Sequence, residues 1–295
     1  MPEFKKLIGG LAFTECPRWH EGRLFFSDQH SYRVFAVSMD GSAEAVAHVP
    51  QRPSGLGFLP DGSLLIVSML DRRIMRLNAN GSLALYADLA DLARGDTNDM
   101  VVDREGRAWV GNFGFDLHGG APACTSCLIC VEADGSARIA AEGLGFPNGS
   151  VLAPDGRTLI VAETLANRLS AFEVNAGKLG DRRTWAAFGP APTTSSVDEI
   201  VAEADVVPDG ICLDAEGAVW VADITHSRLI RVAEGGGILQ SLATPMPPFA
   251  CMLGGDDGLT LFACVAPTFH ETEVKALMNS SILTTTVDVP HAGLP

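Results

Sequence analysis

The chain has 295 residues, and its 36 acidic and 21 basic side chains give a formal net charge of −15. This charge argues against a nucleic acid or an anionic membrane surface as partner. Hydrophobic residues make up 47% of the chain and aromatic residues 7%, a balance that favours many short β-strands around a sizeable core in a soluble, globular protein. Neither a secretory signal pattern nor an apolar run of membrane-spanning length is evident, and we therefore expect a cytoplasmic protein.

A repeated hairpin with a glycine in its turn organises the sequence. A short strand, a turn ending in glycine and a second apolar strand recur six times, around Gly22, Gly62, Gly106, Gly156, Gly217 and Gly258. Consecutive copies lie about 40 to 60 residues apart, a period typical of propellers and solenoids. Because such repeats bury their faces only against their neighbours, the sequence predicts a single domain over residues 1–295.

Further strands follow each hairpin along the chain. Third strands are predicted over residues 33–37, 73–77, 128–131, 168–174, 228–232 and 282–287. Fourth strands are predicted over residues 43–49, 83–89, 137–144, 184–188 and 238–242, so the last unit lacks one. The extended segment of residues 5–13 can supply it. We therefore predict an all-β, six-bladed β-propeller closed by pairing of this N-terminal segment with the last blade.

Three longer insertions separate some of these strands. They span residues 111–125, 190–206 and 267–279. Loops of this length often contain binding or catalytic residues. We expect the insertions to cap one mouth of the ring and to provide substrate contacts.

The residues that open the hairpins share one register. Eight positions before the turn glycine, or seven in the first unit, stand Glu15, Ser54, Asn98, Asn148, Asp209 and Ala250. In a closed ring, equivalent positions form a circle around one axis. Glu15, Asn98, Asn148 and Asp209 offer oxygen ligands, which suit Ca²⁺ or Mg²⁺ and also permit Mn²⁺ or Zn²⁺. We therefore predict one divalent metal ion on the axis, with Ca²⁺ as the first choice.

Two of these residues have a plainer interpretation as turns, because Asn-Gly and Asp-Gly are common turn dipeptides. Asn148-Gly149 and Asp209-Gly210, however, precede the turn glycine of their own hairpin by a whole strand. Asn98 stands in the same register without a following glycine. Taken as a ring, these positions favour the metal interpretation.

Five short segments resemble signature sequences of the regucalcin and gluconolactonase family of six-bladed β-propellers. They are E-C-P-R-W at 15–19, T-N-D at 97–99, F-P-N-G at 146–149, V-P-D-G at 207–210 and C-M-L-G-G at 251–255. The resemblance covers nearly the whole chain. It implies that Glu15, Asn148 and Asp209 bind one divalent cation, that Asn98 lies beside it and holds a water or the substrate, and that the protein hydrolyses lactones.

The chemistry implied at such an ion is that of a Lewis acid. The ion polarises the lactone carbonyl, stabilises the oxyanion that forms and lowers the pKa of bound water. Asp209 is predicted to accept the proton of that water, with Asp99 as the second candidate. The alternative for Asp209 is a role as metal ligand only.

The predicted substrate side of the site departs from the family pattern. Asp96 stands two residues before Asn98, where sugar-lactone hydrolases of the family tend to carry an arginine, and Asp116 takes the place of a longer acid. We predict substrate contacts for Asn98, Asp96, Asp116, His118 and Phe113, with His118 as a possible proton carrier. Since Phe113, Phe115, Phe146 and Phe249 are expected near the mouth, a substrate less polar than gluconolactone is expected.

Two further functions stay open beside a lactonase. One is a non-hydrolytic metal-dependent enzyme such as a lyase or cyclase, and the other is a propeller that binds a metal or small molecule without turnover. A small-molecule substrate is predicted in either enzymatic case. Serine-nucleophile, zinc-protease and nucleotide-binding motifs are not evident.

The cysteines form an odd set of 7. Cys124, Cys127 and Cys130 have no fourth ligand at a familiar metal-binding spacing, and we interpret them as a partly exposed surface group.

Overall fold

A computed structural model of the chain describes residues 3–293, and its regular secondary structure is almost entirely β-strand. In chain order the strands are β1 Lys5–Leu11, β2 Thr14–His20, β3 Arg23–Asp28, β4 Arg33–Val37, β5 Ala43–His48, β6 Pro53–Phe58, β7 Leu64–Ser68, β8 Arg73–Leu77, β9 Leu83–Asp88, β10 Thr97–Val102, β11 Ala108–Asn112, β12 Ser126–Val131, β13 Ala137–Leu144, β14 Pro147–Leu152, β15 Thr158–Glu163, β16 Arg168–Asn175, β17 Lys178–Leu179, β18 Arg183–Ala187, β19 Pro208–Leu213, β20 Val219–Asp223, β21 Arg228–Val232, β22 Ile238–Ala243, β23 Pro248–Gly254, β24 Thr260–Val265 and β25 Ser280–Thr286. The helices are α1 Val197–Glu203 and α2 Glu271–Leu277, with a short 3₁₀ turn at Gln29–Ser31.

The strands form six antiparallel sheets that are the blades of a six-bladed β-propeller. Blades one to five are β2–β5, β6–β9, β10–β13, β14–β18 and β19–β22, and the sixth has the order β1-β25-β24-β23. The inner strands β2, β6, β10, β14, β19 and β23 each contact the next, and β23 contacts β2, so the ring is closed. The predicted fold class is confirmed.

The N-terminal strand completes the sixth blade. Strand β1 pairs with β25, with Lys5 opposite Thr284 and Gly9 opposite Ser281. Ile8 and Leu7 pack beside buried Ile282 and Leu283 in the cluster of apolar side chains at this blade. The predicted closure by the N-terminal segment is therefore confirmed, while residues 1–2 and 294–295, the ends of the predicted domain, lie outside the described residues.

Tight turns join the first two strands of every blade. The six turn glycines have left-handed backbones, with φ from 69° at Gly156 to 82° at Gly106. L-residues with a Cβ rarely adopt this region, so glycine is the residue that these hairpins require. Side chains add to the turns, since the Asp61 carboxylate accepts a hydrogen bond of 2.9 Å from the Ser63 amide.

The glycines beside the axis serve close packing between blades. A Cβ on Gly149 would lie 2.6 Å from the backbone nitrogen of Ile211, and one on Gly210 would lie 2.5 Å from the Ala250 Cβ. Both glycines lie inside strands, β14 and β19. The interpretation of Asn148-Gly149 and Asp209-Gly210 as turns is therefore wrong, and the strand register that places the preceding residues near the axis is right.

Two of the three insertions contain helices that the sequence analysis does not predict. Helix α1 lies in the insertion of residues 190–206 and α2 in that of residues 267–279. The Ser196 hydroxyl caps α1 by accepting a hydrogen bond from the Glu199 amide. Ile200 of α1 is buried in one apolar cluster with Phe113 and Phe115 of the 111–125 insertion. Within residues 3–293, no helix has the length and apolar character that crossing a membrane requires.

Candidate metal centre and active site

Each inner strand is irregular near its axial residue. The pairing of β2 with β3 shifts register between Glu15 and Arg18, and that of β10 with β11 shifts between Thr97 and Met100. Equivalent shifts occur in β6, β14, β19 and β23. A bulge bends a strand and re-aims its side chains. The same irregularity in all six blades therefore gives the axial residues a common orientation.

Three of the six axial side chains are hydrogen-bonded in a row. The Ser54 hydroxyl donates to Asn98 Oδ1 at 3.1 Å, and Asn98 Nδ2 donates to Asn148 Oδ1 at 2.9 Å. Gln29 Nε2 donates to the Ser54 hydroxyl at 3.2 Å. The structure thus brings together the ring residues of three neighbouring blades, as their register predicts.

The two ring carboxylates are buried close to each other. Glu15 is 8% exposed and Asp209 is 5% exposed. Burial raises the pKa of Glu15 to about 8, against a hydrogen bond from the Cys16 amide to its carboxylate that lowers it. Burial, followed by the charge of Glu15, raises the pKa of Asp209 well above its usual range. Two like charges in a desolvated site disfavour ionisation unless a cation joins them.

The nearest buried basic side chain, Arg18, is paired with Asp99 and not with the two ring carboxylates. Arg18 Nη2 donates to Asp99 Oδ1 at 2.8 Å, and the Met100 amide donates to the same oxygen at 2.8 Å. Among residues 3–293, neither Glu15 nor Asp209 forms an ion pair with a basic side chain. When ionised, the four groups Glu15, Asp99, Asp209 and Arg18 carry a net charge of −2, which one divalent cation would balance.

The donor set therefore fits a hard divalent cation. It offers two carboxylates and two amide oxygens, the ligand types that Ca²⁺ and Mg²⁺ prefer. No group of three or more His, Cys, Asp or Glu side chains in the described part of the chain could hold a metal ion. An ion bound at this ring would therefore need ligands besides the two carboxylates, and the amide oxygens of Asn98 and Asn148 are the candidates.

Thr164, which the sequence analysis does not identify, orients one of these amides. Its hydroxyl accepts a hydrogen bond from Asn148 Nδ2 at 3.1 Å and donates to the Pro208 carbonyl at 2.8 Å. Because Nδ2 is held by Thr164, Oδ1 of Asn148 is the atom that meets Asn98. Groups that hold a metal ligand in place in this way tune its affinity.

A second circle of residues lies two positions before the ring, towards the mouth opposite the turns. Its members are Phe13, Arg52, Asp96, Phe146, Val207 and Pro248. Asp96 is half-buried, and burial raises its pKa, while the charges of His118 and Arg52 lower it. The circle therefore joins apolar walls to one arginine and one aspartate on adjacent blades.

The other predicted substrate contacts surround this circle unevenly. Asp116 is exposed and accepts a hydrogen bond of 2.8 Å from the Gly119 amide. His118 Nε2 lies 3.3 Å from Arg52 Nη1. Phe113 is 6% exposed and packs on Phe146, with ring centroids 4.5 Å apart. The structure thus places His118 and Asp96 near one another, and Phe113 largely within the core.

An ionic cluster at the mouth depends on Arg52 and Glu271, which the sequence analysis also misses. Glu271, the first residue of α2, accepts from Arg52 Nη2 at 2.5 Å and from the Tyr32 hydroxyl at 2.9 Å. Lys275 Nζ donates to Glu271 Oε1, the oxygen that also accepts from Tyr32, at 2.5 Å. These contacts lower the pKa of Glu271 to about 2, against the opposing effect of its burial. Helix α2 is thereby bound to blades one and two.

His30, buried under α2, makes the stability of this cluster sensitive to acid. Burial, and then the charge of Arg52, lower the pKa of His30 from 6.5 to about 4, against Glu271 and the Phe269 carbonyl. The folded state favours the neutral imidazole, so its contribution is present above pH 6.5 and is lost as the pH falls towards 4. The loss is on the order of 3 kcal/mol.

We therefore expect the melting temperature to fall between pH 6.5 and pH 4.5, and to fall less in His30→Gln, which cannot gain a proton there. Below pH 4.5 the melting temperatures of the two proteins should fall with pH at similar rates, because protonation of Glu271 then destabilises both. Thermal melts at half-unit pH intervals measure this. Parallel curves for the two proteins between pH 6.5 and 4.5 would remove His30 as the source.

A cavity of about 720 Å³ opens at the other mouth, beside the turns. Arg18, His20, Phe58 and Asp103 contribute to its lining, whereas Glu15, Asn98, Asn148 and Asp209 do not. Since Arg18 also pairs with Asp99, this ion pair links the cavity wall to the ring. The predicted oxygen ligands therefore lie at the ring and not in this cavity.

The cysteine run is mainly a core feature. Cys127 and Cys130 are 6% and 0% exposed, and they belong to different apolar clusters on opposite faces of β12. Cys124 is exposed. The interpretation of these residues as a partly exposed surface group is therefore wrong for Cys127 and Cys130, which are packed as small hydrophobic residues.

The fold and the hydrogen-bonded ring define the chain as a six-bladed β-propeller with polar side chains on its axis. Residues 13–266 match the SMP-30/gluconolactonase/LRE-like region, and the chain belongs to this family.

Two curated relatives illustrate the match in sequence. The chain is 24% identical over 291 residues to a 6-deoxy-6-sulfogluconolactonase of Pseudomonas putida, covering 95% of this chain and 93% of the relative. It is 28% identical over 256 residues to regucalcin of Xenopus laevis, covering 82% and 79%. The family supports a lactonase-type function.

Solved structures agree with the fold. A gluconolactonase of Xanthomonas campestris has a TM-score of 0.76 at 23% identity, with 98% of this chain and 90% of that one covered. A calcium-binding protein, regucalcin, of Agrobacterium tumefaciens has a TM-score of 0.79 at 19% identity, with 99% and 97% covered. At these identities the likeness establishes the propeller fold.

Proposed function

We propose that the protein opens a lactone, or a related ester, by hydrolysis at a divalent cation held on the propeller axis. The observation that carries this proposal is the buried pair Glu15 and Asp209, which has two amides beside it and no basic partner within residues 3–293. Family membership and the sulfogluconolactonase relative support the reaction class. The calcium-binding regucalcin structure supports Ca²⁺ as the first ion to test.

Glu15, Asn148 and Asp209 would hold the ion, with Asn98 at its edge. When bound, the cation would supply Lewis-acid polarisation of the ester carbonyl. One N–H of Asn98 Nδ2 is used on Asn148 Oδ1, and the single hydroxyl hydrogen of Ser54 is used on Asn98 Oδ1. The second N–H of Asn98 is the donor in this row that can orient a water or a substrate oxygen beside the carboxylates.

Asp209 is our choice as the base that takes the proton of the attacking water. Its carboxylate is 5% exposed and would lie beside the ion, where a metal-bound water would be within its reach. Asp99, the second candidate, already accepts hydrogen bonds from Arg18 and from the Met100 amide. We therefore give Asp99 the role of fixing Arg18 and of adding negative charge near the ring.

Thr164→Val is expected to weaken Ca²⁺ binding about 10- to 100-fold, because Asn148 Nδ2 loses its acceptor and the amide is free to rotate. Thr164→Ser keeps the hydroxyl and should bind Ca²⁺ as the parent protein does. Calorimetric titration of metal-free protein measures both variants. Unchanged affinity in Thr164→Val would show that Thr164 does not orient a metal ligand.

The proposed reaction is tested with metal-stripped protein and a panel of sugar, aliphatic and aromatic lactones. Ca²⁺, Mg²⁺, Mn²⁺ and Zn²⁺ are restored one at a time, and acid release is followed at constant pH. We expect turnover only after metal is restored. Tight metal binding without turnover of any lactone would refute hydrolysis and favour a binding protein or an enzyme of another reaction type.

A further inference from the structure

Arg52 is a buried arginine whose hydrogen-bonding capacity is not used up. It lies two residues before Ser54, in the circle around the mouth, and its side chain is 7% exposed. Nη2 contacts Glu271 and Nη1 contacts His118, while Nε has no hydrogen-bond partner among the described residues. A guanidinium has five N–H donors, and an unused buried donor is unfavourable unless a ligand satisfies it.

The backbone of Arg52 is also held in an uncommon conformation. Its φ is +67°, in the left-handed region that a side chain with a Cβ rarely adopts. The position is fixed from both sides, because the Arg52 amide donates to the Val49 carbonyl and its own carbonyl accepts from the Met69 amide. Such conformations persist where the surrounding structure imposes them, and they occur often at functional sites.

The present partner of Arg52 can be exchanged. Oε2 of Glu271 binds Arg52, whereas Oε1 binds Tyr32 and Lys275. Glu271 therefore keeps two partners if its contact with Arg52 is broken. The Glu271 carboxylate binds the Arg52 guanidinium in the way that an oxygen group of a ligand would. A ligand could therefore replace Glu271 at Arg52, and Glu271 would still be paired with Tyr32 and Lys275.

His118 adds a second polar group beside the first. Its Nε2 faces Arg52 Nη1 at 3.3 Å, and Asp96 and Asp116 lie close enough to affect its pKa. Phe113 borders the imidazole, with ring centroids 6.0 Å apart. The mouth thus offers polar groups at one side and aromatic rings at the other.

We propose that Arg52 and His118 form a subsite for an oxygen substituent of the substrate, a hydroxyl or an acid group, and that Arg52 selects oxygenated lactones over unsubstituted ones. This inference rests on the proposed lactone hydrolysis. The ester carbonyl would lie at the axial ring, and the substituent would reach the circle two residues closer to the mouth. Arg52 is a specificity residue in this account and takes no proton.

The test compares Arg52→Met with Glu271→Gln. Both variants lose the Arg52–Glu271 ion pair, so both loosen α2, but only Arg52→Met loses the guanidinium. The probes are D-glucono-1,5-lactone, which carries several hydroxyls, and δ-valerolactone, which carries none. Melting curves establish that each variant is folded.

For Arg52→Met we expect kcat/KM for gluconolactone to fall about 10- to 100-fold, mostly through KM, and that for valerolactone to change less than about threefold. Glu271→Gln should keep the parent preference between the two lactones within about threefold. The specificity role would be refuted if Arg52→Met lowered kcat/KM equally for both lactones, or if Glu271→Gln changed the preference between the lactones as Arg52→Met does. Arg52 would then serve only to hold α2 in place.

Binding of the two product acids gives a readout that does not need turnover. Calorimetric titration of the Ca²⁺-loaded protein should show D-gluconate binding more tightly than 5-hydroxyvalerate, with the difference lost in Arg52→Met. If no lactone is hydrolysed but this difference is observed, the proposed reaction fails and the subsite stands. If the parent protein binds both acids equally, or binds neither, the subsite is refuted whether or not lactones are hydrolysed.

Discussion

Replacing Asp209 with asparagine is expected to lower metal-dependent lactone hydrolysis by at least about 10³-fold while leaving the propeller folded. The change keeps the size of a side chain that is 5% exposed, and it removes one of two buried like charges. Stability should therefore stay constant or rise, since an unpaired buried carboxylate opposes folding. Steady-state kinetics, Ca²⁺ titration and thermal melts of one preparation measure the three quantities.

Asp103→Asn is the matched control. Asp103 is 8% exposed, caps a turn at the opposite mouth and is distant from the ring in strand register. Its substitution should leave the kinetics unchanged. Asp209→Asn should lose Ca²⁺ affinity because a ligand is removed, and turnover that does not return at saturating Ca²⁺ would show that Asp209 is also the base. Full activity would remove Asp209 from the mechanism.

Removing residues 1–11 is expected to have the largest effect on stability. The deletion takes away β1 and exposes the edge of β25, whose backbone pairs with residues from Lys5 to Leu11. It also uncovers Ile282 and Leu283, which are 0% and 4% exposed. We expect the melting temperature to fall by about 10 °C or more, together with increased aggregation from the open edge.

The control for this deletion removes residues 1–3, which precede β1, and leaves Phe4 packed on the apolar cluster of the sixth blade. Both shortened chains keep Ala12 and Phe13, because the amides of these residues donate to the Asp28 carboxylate. The shorter deletion should melt close to the full chain. If the longer deletion has the same melting temperature as the full chain, pairing of β1 with β25 does not stabilise the ring.

The order of the blades could be predicted from the sequence because one turn geometry repeats. A glycine in the left-handed region marks each hairpin, and counting back from Gly106 or Gly156 reaches Asn98 or Asn148 in one step. The count works because the inner strands have 6 or 7 residues and each carries its irregularity near the axial residue. The proximity of Ser54, Asn98 and Asn148 follows from this register.

Helix α1 left a signal in the sequence that the analysis did not use. Ser196 followed by Glu199 has the spacing of a capping box, and the Ser196 hydroxyl does accept a hydrogen bond from the Glu199 amide. Helix α2 has a weaker signal, since His270 precedes it and no side chain caps it. Both helices have seven residues, which is too short for a clear apolar period, and packing on neighbouring blades holds them in place.

Arg52 and Glu271 could not be paired from the sequence, because 219 residues separate them and no local pattern joins them. The shared strand register could have identified Arg52 by itself. Arg52 lies two residues before Ser54, just as Asp96 lies two residues before Asn98. The expectation of a less polar substrate considered Asp96 and the phenylalanines near the mouth, but not Arg52. With Arg52 on the adjacent blade, the mouth has a guanidinium donor, and our proposal is accordingly an oxygenated lactone.

The central claim is that the axial ring holds a divalent cation, and the position of that cation can be measured directly. Mn²⁺ soaked into crystals of metal-free protein is located by its anomalous scattering. The account predicts one strong peak on the axis, in contact with Glu15, Asn148 and Asp209, and its absence in crystals of Asp209→Asn. A peak at another site, or an axis without a peak at saturating Mn²⁺, would contradict the account.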